Sequence, residues 1–419
     1  MKIVLKIALL TLMFVWGYGD NLEIVKYVSN NKPKIYVESN NLPMKIQQAI
    51  AKDAQIIARY DVDVYKSSVT PDVKSISRSK YKGYNYLLRA GFSNNHLTVM
   101  FYNLLKREVL LYKKYLVSSF EYYPFVIHRL SYDMNNKMGY KPIDWINKKV
   151  VYSIYMAPKE QSIFIADITL QYRKKIISGG LNIFPKWANK EQTQIYYTNL
   201  NAQPVLYKYN IVTGKREKVL SSQGMLIASD VKGDELLLTL APNDQPDIYK
   251  YNTNTKSLTR ITKFNGIDVN GQFYGDNSVV FISNRLGYPN VYQKNLDTNK
   301  VSKLIDYGKN HISVAVNNDK VVVSTRESNK AFDRNTFNLL LLNKNNSAVK
   351  RLTFSGKNML PSFSSDGGTI IFIKEYKFNS SLGIERLDEN KVFYIRISRK
   401  IQSFDFWVSF LIQCEYITI

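Results

Sequence analysis

The chain has 419 residues but a single cysteine, Cys414, so it can form no intramolecular disulfide and no cysteine-built zinc or iron–sulfur centre. Histidine is nearly as scarce. His96, His128 and His311 are the only three and lie far apart, which excludes a helix-borne HExxH metal site. His128 falls one position off the apolar face of a helical pattern and reads as a partly buried helix residue, not a ligand. Beyond the first twenty residues no stretch reaches eighteen consecutive apolar residues, so the mature chain is expected to span no membrane. GxSxG, GxxxxGK[ST] and a strand-borne GxGxxG are all missing, which leaves no nucleophile elbow and no phosphate-cradling loop. Acidic residues are few: 34 against 58 Lys and Arg, a net charge of +24 spread along the chain and not gathered in a tail. What is present is apolar residues at 45%, enough for a real core, and 31 tyrosines against 12 prolines and 19 glycines, a bias toward strands. The length suggests two or three domains.

Residues 1–19 read as an address. Lys2 and Lys6 precede an apolar run from Ile7 to Trp16, and Gly17 and Gly19 supply the small residues of a cut between Gly19 and Asp20. That is the pattern of a cleaved secretory signal, and ten apolar residues are too few to cross a bilayer comfortably. No cysteine follows the run, which excludes a lipoprotein anchor. The chain is therefore expected to work outside the cytoplasm, where its charge suits anionic surfaces and where little nucleic acid is met.

Residues 20–149 predict a small mixed α/β (α+β) domain. Pro33–Val37 is extended. Asn41 then reads as the cap of a helix with Pro43 in its first turn, and Ile46, Ala49, Ile50, Ala54 and Ile57 recur at helical spacing. Strand patterns follow at Tyr60–Tyr65, Tyr84–Ala90, Leu97–Leu105 and Glu108–Val117. Ser118-Ser119 then caps a second helix that carries Tyr123, Ile127, Leu130 and Met134 on one face. The order β-α-β-β-β-β-α predicts one sheet with both helices on one face, and the polar stretch Lys66–Lys82 reads as a mobile loop.

Residues 150–407 repeat. Gly180, Gly224, Gly266, Gly308 and Gly356 open successive units at intervals of 44, 42, 42 and 48 residues. Each unit then gives a short apolar run, a polar turn and a strong β-former: Gln194–Thr198, Glu235–Leu240, Ser278–Ser283, Lys320–Thr325 and Thr369–Ile373. A third run follows, and LYKYN and IYKYN are nearly identical copies 42 residues apart. Four short strands in about 42 residues is the size of a propeller blade. One twisted four-stranded sheet cannot bury both faces, whereas blades stacked about an axis can, so the repeat should close. Counting the partial unit at Val150–Gly179, the expectation is a six-bladed β-propeller. Asp230, Asp234, Asp276, Asp319 and Asp366 fall at or near hairpin turns and read as turn residues. A rival reading is an extracytoplasmic propeller lyase or hydrolase with two carboxylates meeting in the axial channel, but no acidic pair sits at a repeat position that would place it there.

Several segments carry a family resemblance: the leader, the junction from Met138-Gly139-Tyr140 to Val150-Val151-Tyr152, FPKW (Phe184–Trp187), FISNRLGYPNVYQKN (Phe281–Asn295) and LPSFSSDGGTIIF (Leu360–Phe372). Over residues 20–407 the chain resembles the TolB family of the Tol–Pal system. The family's WSPDG-type turns are worn here, with only Phe363-Ser364-Ser365-Asp366-Gly367 close. The pattern ends near Ile401–Trp407, Glu385–Arg399 looks less propeller-like, and the apolar residues 408–419 have no counterpart. The resemblance implies a periplasmic, monomeric, non-enzymatic protein without cofactor or metal. Its propeller mouth would bind a Pal-like outer-membrane lipoprotein, and its mature N-terminus would bind TolA. Peptidoglycan and outer-membrane proteins are further candidate partners. The expected mouth residues are Asn182, Gln223, Asn270, His311 and Asn358, each a few residues from a blade-opening glycine. This polar set speaks against a lectin, which would want aromatics there. The expected TolA strap is Asp20, Asn21, Leu22, Glu23, Ile24 and Val25, whose alternation could add a strand to a partner sheet.

Overall fold

The computed structural model describes residues 22–24, 32–73, 76–326, 336–343 and 348–406. The leader, residues 408–419, and Asp20, Asn21 and Val25 of the strap lie outside the described residues. No helix among those described is long and apolar enough to cross a membrane.

The chain begins with a short strand, β1 (Leu22–Ile24), and then builds the N-terminal domain. Its elements are β2 (Lys34–Asn40), α1 (Met44–Ile57), β3 (Asp61–Lys66), β4 (Tyr86–Ser93), β5 (His96–Asn103), β6 (Glu108–Leu116) and α2 (Tyr123–Lys137). The sheet order is β3-β2-β4-β5-β6, with β2 parallel to both neighbours and the rest antiparallel. Ile35, Val37, Leu88, Val99 and Phe101 of the sheet join Ile46, Ile50 and Ile57 of α1 and Ile127, Leu130 and Met134 of α2 in one core. The helix starts differ from expectation. Helix α1 begins at Met44 behind Pro43, with no side-chain cap, and Asn41 instead takes a left-handed turn at φ 52°. Ser119 precedes a 3-10 turn, Phe120–Tyr122, and α2 starts one step later with Pro124 in its first turn. The loop expected to be mobile is anchored at its later end. Lys80 and Tyr81 reach the buried carboxylate of Glu38, which also takes Arg89 Nε at 2.7 Å.

The rest forms six four-stranded antiparallel blades. Blade 2 shows the plan: Asn182–Trp187 innermost, then Gln194–Leu200, Pro204–Asn210 and Arg216–Ser221 outward. Blades 3, 4, 5 and 6 have their innermost strands at Leu226–Lys232, Asp268–Tyr274, Lys309–Asn317 and Lys357–Phe363. Blade 1 is composite: the last described strand, Ile401–Phe406, is innermost and pairs with Lys149–Ala157, so the chain's two ends of the propeller close the ring. The stretch that looked least regular, Glu385–Arg399, supplies the outer strand of blade 6, Lys391–Ile397.

Second strands such as Ser278–Ser283 are buried along their whole length because a neighbouring blade covers each face. Five apolar clusters fill the seams between blades 1–2, 2–3, 3–4, 4–5 and 5–6. Each buried Val, Leu or Ile there contributes roughly 1.5–3 kcal/mol. The closing seam is different. Ile373, Leu382 and Ile395 of blade 6 and Val150, Tyr152 and Ala166 of blade 1 merge into the core of the N-terminal domain.

Charge reinforces that joint. His128 of α2 is fully buried, with Nδ1 at 2.9 Å from Asp53 of α1 and Nε2 at 3.1 Å from Asp167 of blade 1. Burial alone would lower its pKa, but the charge of Asp53 and the bonds to Asp167 and Asp53 outweigh that and push it up to about 10. His128 is thus no ordinary half-buried helix residue but a charged pin between domains. Beside it Arg59 Nε reaches Glu389 of blade 6 at 2.9 Å, and its Nη1 reaches Asn135 at 3.0 Å.

Candidate functional site

In a four-stranded meander the start of the innermost strand, the turn from second to third strand and the end of the fourth strand open on one face. Asp167 and Glu389 sit on the turns of the other face, under the N-terminal domain. The free face is therefore the mouth. Its loops lie close against the end of the second strand of the blade they open, which explains the glycines. Gly308 has φ 81°, and a Cβ on Gly224 would lie 2.1 Å from the carbonyl oxygen of Ala241.

The expected mouth residues fall into two groups. Asn182, His311 and Asn358 occupy one repeat position and are buried beneath the mouth. The Asn182 amide donates to the carbonyls of Gln161 (3.1 Å) and Gly179 (2.9 Å), and the Asn358 amide donates to those of Phe337 and Ser355 (both 3.0 Å). Both amides satisfy main-chain carbonyls where one blade hands over to the next. Asp268 fills the same position in blade 4 and receives Arg285 Nη2 at 2.9 Å. His311 is held neutral, its pKa lowered to about 4 first by burial and then by Lys303. Gln223 is exposed on its loop. Asn270 is half-buried in a bulge of the innermost strand at φ 57°, and its N–H donates to Thr239 Oγ1 at 3.1 Å.

Among polar loop residues the mouth presents a belt of apolar side chains to solvent. Met225, Ile267, Leu286, Tyr288, Tyr307, Ile312, Phe354 and Phe378 are exposed there, Leu286 to 69% and Phe378 to 75%. Cations stand over the rings: Lys309 over Tyr288 at 5.6 Å, Arg351 over Phe354 at 5.1 Å and Lys377 over Phe378 at 5.0 Å. The belt adds aromatic and aliphatic positions to the polar ones expected from sequence. The legible signal was an aromatic one or two residues before a blade-opening glycine, as in Phe264-Asn265-Gly266, Tyr307-Gly308 and Phe354-Ser355-Gly356.

The mouth leads into an axial cavity of about 370 Å³. Its wall includes Phe184, Met225, Ile227, Val269, Ile312 and Leu360 near the mouth. Deeper, one repeat position forms a ring: Lys186, Asp230, Gln272, Ala315, Ser362 and Asp405, each paired with the third residue of the second strand in its blade. Asp230 and Asp405 therefore do share a repeat position and face the channel, contrary to expectation. Both act as staples. Asp405 accepts Trp187 N–H at 2.9 Å and pairs with Lys186 Nζ at 2.8 Å, and Asp230 accepts Phe273 N–H at 2.9 Å. Gln272 bridges in the same way to Val314 and Val316 of blade 5, and Ser362 to Phe406 of blade 1. Burial pushes the Asp230 carboxyl up to about 6, against the opposing pull of Lys186. Among the described residues no group of three or more His, Cys, Asp or Glu could hold a metal ion.

On the outside, β1 pairs antiparallel with the outer strand of blade 6, Leu22 opposite Ile395 and Ile24 opposite Phe393. The described part of the strap is thus a fifth strand on that blade.

Comparison with known proteins identifies the architecture. The family model of the TolB beta propeller domain matches residues 145–390. The Tol-Pal system protein TolB of Campylobacter jejuni (strain RM1221) is 39% identical over 421 aligned residues, covering 97% of this chain and 100% of that protein. The chain belongs to the TolB family. The Tol-Pal system protein TolB of Helicobacter hepaticus is 36% identical, covering 97% of this chain and 100% of that protein. The crystal structure of TolB from Acinetobacter baumannii shares the fold, with a TM-score of 0.77 at 21% identity over 91% of this chain and 98% of that one. A six-bladed propeller behind an α/β domain is therefore the family's architecture and this chain's.

Proposed function

We propose that this protein is the periplasmic propeller scaffold of a Tol–Pal system, exported with its leader removed between Gly19 and Asp20. It catalyses nothing. Its mouth binds a Pal-like outer-membrane lipoprotein and its N-terminal strap, residues 20–25, binds TolA, which together keep the outer membrane tied to the wall during division. The observation that carries the reading is the belt of exposed aromatic and aliphatic side chains on the one propeller face that the N-terminal domain leaves open. Apolar side chains rimmed by Lys and Arg are the composition of a protein-binding hot spot. Gln223 and Asn270 supply polar contacts at that rim, while Asn182, His311 and Asn358 hold its loops from beneath. The strap reading rests on the alternation of residues 20–25 and on β1, which already uses this segment as an added strand.

The test is calorimetric titration of the mature protein with the purified Pal-like lipoprotein and with TolA of the same cell. Both are expected to bind. A chain lacking residues 20–27 should keep the lipoprotein and lose TolA. Failure of the intact protein to bind the lipoprotein would sink the mouth reading, and unchanged TolA binding after truncation would sink the strap reading.

A further inference from the structure

The axial cavity contains an imbalance that stapling the blades does not require. Among the described residues three charged side chains face it: Lys186, Asp230 and Asp405. Lys186 and Asp405 form a pair at 2.8 Å and cancel. Asp230 has no such partner. Among the described residues its hydrogen bonds come from the main-chain N–H groups of Val231 and Phe273, both at 2.9 Å. One carboxylate is therefore left without an ion-pair partner of its own at the inner end of a cavity whose outer wall is mostly apolar. A carboxylate in such a place is costly unless a cation joins it. A pocket that is mostly apolar toward its mouth and carries a net charge of one carboxylate at its base is shaped for a group with an apolar stem and a cationic tip.

We propose that the channel receives a lysine side chain from a loop of the protein docked on the mouth, with its methylene stem along Ile227, Val269 and Leu360 and its ammonium on Asp230. This rests on the reading of the mouth as a protein-docking face and names the chemistry recognised at its centre. Lys186 stays with Asp405, so the incoming ammonium completes a ring of two anions and two cations. The remaining polar groups of the ring, Gln272 and Ser362, are neutral and already bonded across blades.

The test uses n-hexylammonium as the probe on the mature protein, read by calorimetry and by the fluorescence of Trp187 in the cavity wall. The cation is expected to bind at least tenfold more tightly than n-hexanol or n-hexanoate. Asp230→Asn should erase that preference, since asparagine still accepts the Phe273 N–H but carries no charge. Lys186→Met should strengthen it by leaving Asp405 uncompensated as well. With Lys186 and Asp405 the only other charges facing it among the described residues, protonation of Asp230 as the pH falls through about 6 should weaken cation binding. Equal binding of the three probes, preference for hexanoate, or no effect of Asp230→Asn overturns the inference. Separate titrations of the lipoprotein against Phe354→Ala/Phe378→Ala keep the two claims apart. If those variants lose the lipoprotein while hexylammonium never binds, the mouth reading stands and the lysine pocket falls.

Discussion

The two faces of the propeller are made from the same repeat and are finished differently. Toward the N-terminal domain, charges are buried and matched. His128 lies between two carboxylates from different domains, and Arg59 joins Glu389, Asn135 and the Lys141 carbonyl. Toward the mouth, Asp268 is buried against Arg285, but Lys309, Arg351 and Lys377 stay in water over exposed aromatic rings, and aliphatic side chains stand exposed beside them. Buried matched charge costs much to separate and suits a permanent joint. Exposed apolar surface is tolerated only where a partner comes and goes. One face reads as a weld and the other as a socket.

The largest effect is expected from breaking the weld. His128→Ala leaves Asp53 and Asp167 buried without their cation and should cost about 3–5 kcal/mol in urea unfolding, with the mouth's affinity unchanged. The sign of the pH dependence follows from the raised pKa. The stabilisation by protonated His128 is complete below about 6.5 and should fade as the pH rises toward about 10, a slope that the alanine variant should lack. Chemical denaturation across that range checks both. Next comes the socket. Phe354→Ala/Phe378→Ala should weaken lipoprotein binding tenfold or more while moving stability by less than about 1 kcal/mol, the reverse of the His128 outcome. The smallest contrast is within the mouth itself. Asn358→Ala removes two side-chain hydrogen bonds from a buried position, to the Phe337 and Ser355 carbonyls, and should cost about 1–3 kcal/mol of stability, whereas Gln223→Ala on its exposed loop should change stability by less than about 0.5 kcal/mol. If Gln223→Ala destabilised the fold as much as Asn358→Ala, the division between pinned and free mouth positions would be wrong.

Much of this was legible along the chain. The spacing of Gly180, Gly224, Gly266, Gly308 and Gly356 announces the blades because the loop that opens each one runs tight against the end of its second strand. The period-2 runs and the helical spacing of Ile46, Ile50 and Ile57 announce the N-terminal domain. The helices start later than cap type alone predicts because Asn41 and Ser119, good caps by type, lie two and three residues ahead of the observed N-caps, Pro43 and Tyr122, and serve other turns. The mouth residues were harder to read. Asparagine before a strand is equally at home at a surface or stitching a hand-over, and burial, which decides between them, is not written in one repeat.

Local pattern suffices for the blades, since alternation and turn chemistry act over a few residues and recur six times. The meeting of Asp53, His128 and Asp167 and the ring of Lys186, Asp230 and Asp405 had to await folding. Their members stand up to 219 residues apart, and the closure that joins Ile401–Phe406 to Lys149–Ala157 is what brings Asp405 to Lys186. Pairing across such separations depends on ring geometry, which no single stretch of chain contains.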